Sequence, residues 1–154
     1  MADRKQKKQS GQSSEVRIIE AIFVGIGQVF KLILRAVRGG SSTVDPEATR
    51  ILRNGWVQVE LHLTTPATLA LAISEADKLF DVALRAAGVP GNTLGERLKA
   101  AESHFDPSQY NQLWNAHKLR NRLAHEVGVS IDKQETETAV RSLQRGITSL
   151  GFSI

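Results

Sequence analysis

The segment from Leu113 to Glu126, LWNAHKLRNRLAHE, sets His117, Arg120 and His125 beside Asn121 on a helix that also carries an apolar stripe. Polar groups on an inward helix face are costly unless they are paired or used, so chemistry is expected here. On a helix over 107–126, Tyr110, Leu113, Trp114, Ala116, Leu123 and Ala124 mark the buried side. His117, Asn121 and His125 follow one another at i, i+4 and i+8 along its edge, and Arg120 points between Leu113 and Ala116 into the apolar arc. A guanidinium in that place cannot shed its charge and must find a carboxylate or a phosphate. The second helix, with ISEADKLFD, offers Glu75 and Asp77 on opposite edges of its stripe and Asp81 farther out. An Arg120–Glu75 or Arg120–Asp77 ion pair, with the histidines hydrogen-bonded nearby, would make the cluster structural. An Arg120 left open would make it a phosphate-handling site.

Other chemistries fit poorly. His117 and His125 stand about 12 Å apart along a helix, too far to share an ion bound at roughly 2 Å, so no metal is expected. No nucleophile is placed for a serine-type triad, and no glycine loop is built to cradle phosphates. Cysteine is absent, which removes disulfides, thiolate nucleophiles and thiolate metal sites and suits a reducing compartment. No cofactor is expected.

The elements that must position the cluster are legible from their starts. Asp45-Pro46 and Thr65-Pro66 pair an N-cap with a proline at the first helical position. Thr93 with Glu96, Asp106 with Gln109, and Asp132 with Glu135 have capping-box spacing, and Phe105 and Tyr110 have hydrophobic-staple spacing. Gly88 and Gly151 stand where C-cap glycines belong. Helices are therefore predicted over 46–63, 66–87, 93–103, 107–126 and 132–150. The second carries a stripe of Leu69, Ile73, Ala76, Phe80, Ala83 and Ala87, and the last one of Ala139, Val140, Leu143, Ile147 and Leu150. Gly55 inside the first helix costs about 1 kcal/mol against alanine and marks a place to bend. Short connections make neighbours antiparallel. The fold class is all-α: an antiparallel four- to five-helix bundle over 46–151, preceded by a separate amphipathic N-terminal helix.

Arg120-Asn121-Arg122-Leu123-Ala124-His125 resembles the signature of the HEPN superfamily, an Arg, a polar residue, a short gap and a His. The setting is similar too: a late helix of an all-α bundle, with Trp114 before the motif and Glu126 after it. AISEADKLFDVAL, LGERLKAA and LWNAHKLRNRLAHE together look like uncharacterised bacterial members of that group, over roughly residues 46 to 150. The N-terminal helix and Gly55 are not part of the superfamily pattern. The resemblance implies a homodimer that brings two motifs together. In active members the motif cuts RNA without metal. On this chain His125 would then move a proton, Arg120 would hold the phosphate, and Asn121 would orient either group, with His117, Glu75, Asp77 and Glu126 in support. Many members are inactive and serve as binding or scaffold modules. The expected function is a membrane-tethered, non-catalytic interaction or scaffold module, with a metal-independent RNA endonuclease as the alternative.

Charge is unevenly placed. Residues 1–40 hold eight basic and three acidic groups, a net of +5, and residues 41–154 hold twelve basic and thirteen acidic groups, a net of −1. A slightly acidic domain argues against a good RNA groove. Residues 1–14 are polar and basic, with too little apolar content to build a core, and 39–45 (GGSSTVD) reads as a linker. Between them, 15–38 is amphipathic with an apolar arc roughly 220° wide, well beyond the roughly 100° of a surface helix. Ile19, Ile22, Phe23, Ile26, Phe30 and Ile33 lie on that arc, while Lys31 and Arg35 lie on the polar strip. Charges interrupt the run a membrane span needs, and Arg35 and Arg38 stand where a signal-peptide cleavage site would lie. A helix lying in the plane of an anionic membrane fits best, with a single span or packing on protein as alternatives. A cytoplasmic protein, peripheral on the inner face of the membrane, is the expectation. Removal of residues 1–40 should leave a domain that unfolds cooperatively on heating and no longer co-sediments with anionic vesicles.

Overall fold

The computed structural model describes residues 45–126 and 131–154. The tail over 1–14, the amphipathic helix over 15–38 and all but the last residue of the 39–45 linker lie outside the described residues. Those described belong to one compact unit spanning Thr43–Ile154. It is built from α1 (Pro46–Leu63), α2 (Leu69–Ala86), α3 (Leu94–Ala100), α4 (Pro107–His125) and α5 (Lys133–Ser149), with no strand among the described residues. Four of these begin on the cap read from the sequence. The Asp45 carboxylate accepts from the Glu47 N–H (2.9 Å), the Thr93 hydroxyl from Glu96 (3.2 Å), Asp106 from Gln109 (2.9 Å) and Asp132 from Glu135 (2.6 Å). Each bond satisfies a donor that the first turn leaves orphaned.

The second start is different. Thr65-Pro66 opens a 3-10 turn, Pro66–Thr68, and α2 begins only at Leu69. The Thr65 side chain makes no capping bond. Instead, the Thr68 hydroxyl donates to the His62 carbonyl at the end of α1 (2.7 Å), tightening the corner between the two helices. The third helix is likewise shorter than 93–103, since a second 3-10 turn, Glu102–His104, follows it. Gly88 does end α2 as expected, at φ +76°, with Val89 N–H donating to the Leu84 carbonyl.

Pairings along the helices give the topology. Gln109 bonds Ser149 and Arg122 bonds Glu135 (both 2.8 Å), so α4 and α5 run antiparallel. Asp77 meets His117 from α4, and α1 returns through its tight corner to lie along α2. The central element is α2, packed against α1, α4 and α5. Its buried line, Leu69, Ile73, Ala76, Phe80 and Ala83, is the predicted stripe. Phe80, Leu113, Leu143 and Ile147 are fully buried, and each such side chain contributes roughly 1.5–3 kcal/mol.

Two glycines let helices approach closely. At Gly55 an added Cβ would lie 2.6 Å from Leu79 Cδ2, so α1 rests directly on α2 there. At Gly146 it would lie 2.7 Å from Leu113 Cδ2 and 2.8 Å from Phe80 Cε2, where α5, α4 and α2 converge. Both side chains are wholly enclosed and have little room to give. Gly146→Ala should therefore destabilise by about 1–2 kcal/mol, overpacking exceeding the helix-propensity gain, in a urea melt against wild type.

Candidate functional site

The buried line of α4 runs through Leu113, Ala116 and Leu119, with Leu123 partly covered. The helix is thus rotated toward Leu119 relative to the sequence expectation, and Ala124, expected inside, is exposed. With that rotation Arg120 stays beside the buried line, partly exposed, and His117 sits above the α2–α4 seam.

Across the seam stands Asp77, the partner that the sequence left open between two carboxylates. Its side chain is 7% exposed. Glu75 points away and pairs with Lys78 (2.9 Å) at the surface. His117 Nδ1 lies 3.0 Å and 3.2 Å from the two Asp77 oxygens. Arg120 Nε is 3.7 Å from Asp77 Oδ2, an ion pair too long to be a hydrogen bond. The remaining contacts run in one direction. Arg120 Nη1 donates to Asn121 Oδ1 (3.1 Å), and Asn121 Nδ2 is 3.2 Å from His117 Nε2. Since a carboxylate can only accept, the donor order Arg120, Asn121, His117, Asp77 assigns the His117 hydrogen to Nδ1 and leaves Nε2 accepting from Asn121. Trp114 packs edge-on to the His117 ring, centroids 6.1 Å apart, and Gly95 of α3 lies beneath both rings.

One atom is left out. Arg120 Nε is buried and has no hydrogen-bond partner, although the side chain as a whole is 29% exposed. The other expected site residues are apart from this cluster. His125 is exposed in the last turn of α4, and Glu126 is the exposed residue that ends the helix. The motif's first half therefore faces the interior and its second half faces solvent. Among the described residues, no group of three or more acidic or histidine side chains is placed to hold a metal ion, and no helix is long and apolar enough to cross a membrane.

Two further features escaped the sequence. Arg97, buried on α3, donates from Nε and Nη2 to Asp81 (2.7 and 3.1 Å) and from Nη1 to the Gly91 carbonyl. An open polar cavity of about 680 Å³ lies between the start of α4 and the end of α5, lined by Gln109, Gln112, Gln144 and Arg145 among others. None of Asp77, His117, Arg120 and His125 lines it. The concave surface and the polar cluster are thus two places. No protein-family model, no curated protein and no solved structure matches the chain.

The geometry sets an order of stability effects. Asp77→Ala strands both α4 partners of a buried carboxylate and should cost about 3–5 kcal/mol. Arg120→Ala should cost about 2 kcal/mol, less because its head group reaches solvent. In a double-mutant cycle the two changes should be strongly coupled, and additive losses in denaturant melts would show that the side chains act separately.

Proposed function

We propose that the domain is a non-catalytic helical interaction module, a HEPN-like bundle held at an anionic membrane surface by residues 15–38 and pairing with a second copy of itself. The observation that carries this reading is the engagement of Arg120 and Asn121 with Asp77 and His117 at the α2–α4 seam. Arg120 answers the charge of Asp77, and Asn121 fills the remaining nitrogen of His117. Turning Arg120 to a phosphate would give up its ion pair with Asp77 across the α2–α4 seam, and turning Asn121 to His125 would leave His117 Nε2 without its donor. The domain's slightly acidic balance also gives a polyanion little purchase.

The second reading, a metal-independent RNA endonuclease, draws on two observations: Arg120 Nε lacks a hydrogen-bond partner, and His125 is exposed. In that reading a neighbouring copy would supply a second motif. Arg120 would turn to the phosphate and His125 would move the proton of the attacking hydroxyl or the leaving oxygen. The full chain, incubated with structured and unstructured RNA in chelator, should leave both intact. His125→Ala should change stability by less than about 0.5 kcal/mol, as for an exposed residue. RNA cleavage by the wild type, lost in His125→Ala with its stability unchanged, would replace the first reading by the second.

A further inference from the structure

Four large apolar side chains are exposed among the described residues: Ile51 (43%), Val57 (56%), Leu61 (56%) and Leu71 (49%). Three of them are on α1. This helix packs mainly on α2, burying Ala48, Leu52, Trp56, Val59 and Leu63. At about 100° per residue, Ile51, Val57 and Leu61 fall within an arc of roughly 120° on its opposite side, together with Asn54 and Gln58 and, at the N-terminal end, Glu47 and Arg50. A scattered exposed leucine is ordinary, whereas a second stripe on a helix that has already buried one is a contact surface.

We infer that this outer face of α1 is an interface with a second copy of the chain, the two α1 helices lying antiparallel about a two-fold axis level with Trp56. The assignment rests on the reading of the domain as a self-pairing module and names the surface that pairs. The face is self-complementary in that arrangement, as a two-fold interface must be. With the axis at that level, Ile51 meets Leu61 of the other copy, Asn54 meets Gln58, and Val57 lies beside the axis near its own counterpart. Charge follows the same register. Arg53 and Glu60 are both exposed and share one flank of the stripe. In an antiparallel pair, like flanks face each other, so Arg53 of each copy is set opposite Glu60 of the other, twice per dimer. In a parallel two-fold pair unlike flanks would face each other, and Arg53 and Glu60 would lose this pairing. Glu60 accepts a hydrogen bond from Trp56 Nε1 (3.1 Å), which fixes the carboxylate on that flank. Arg50 and Glu47, within the arc at the N-terminal end of α1, already pair with each other (2.6 Å), whereas Arg53 has no ion pair or hydrogen bond among the described residues. The polar pair Asn54–Gln58 sets register at the centre of the seam. A single helix pair buries less than the roughly 800 Å² per partner of a standard interface, so the dimer is weak.

The chain has no cysteine, which makes cross-linking a clean test. Full-length Val57→Cys under mild oxidation should form a covalent dimer, and full-length Lys118→Cys, on the exposed side of α4, should not. In sedimentation of the full chain, Arg53→Glu and Glu60→Arg should each weaken association by about tenfold, and the double charge swap should restore it. A Val57→Cys protein that cross-links no faster than Lys118→Cys, or a double swap that rescues nothing, overturns the assignment. If the chain still sediments as a dimer in that event, the copies pair elsewhere and only the surface falls. A monomer at every concentration removes self-pairing altogether. Should Leu61→Glu leave Val57→Cys cross-linking unchanged while abolishing co-sedimentation with anionic vesicles, the face belongs to lipid and the proposal fails.

Discussion

A carboxylate placed inside a helical bundle has to be answered, because an unpaired buried charge costs several kcal/mol. Asp77 imposes that demand on α2, and α4 meets it with His117 and Arg120. The demand fixes the rotation of α4 about its own axis. With Leu119 turned inward and Ala124 outward, His117 and Arg120 reach the same carboxylate. Apolar packing alone would tolerate several rotations of a helix whose apolar side chains are spread around it. The polar contact selects one, and the positions of Trp114, Asn121 and His125 follow from it.

The same contact explains why the Arg-Asn-x-x-x-His pattern divides between interior and solvent. Five residues separate Arg120 from His125, which turns them roughly 140° apart on a helix. Within one chain they cannot converge on a small group. Either the pattern is used by its halves separately, as the hydrogen-bond order around His117 favours, or a second chain completes it.

The cap residues were legible because they act over two or three positions, and Asp45, Thr93, Asp106 and Asp132 each bond within their own first turn. The Thr65-Pro66 start was misjudged because its outcome depends on the Thr68 hydroxyl reaching back to α1, which local spacing does not reveal. The choice between Glu75 and Asp77 was equally beyond the sequence, since both edge the α2 stripe and only the packing of α4 decides which edge is covered. Gly55 looked like a flaw in a helix and is a point of contact with Leu79. Arg97 gave no signal, being one basic residue on a short capped helix whose partner lies 16 residues earlier.

That arginine has a consequence for how the folded chain opens. By gripping Asp81 and the Gly91 carbonyl together, Arg97 closes the turn between α2 and α3 on itself. A disulfide would hold such a loop by restricting the denatured ensemble, and would do so only under oxidising conditions. The ionic clasp acts on the folded state alone. The reducing power of the surroundings leaves it untouched, and it opens and recloses without bond chemistry. The turn around Gly91 should consequently open whenever one guanidinium lets go.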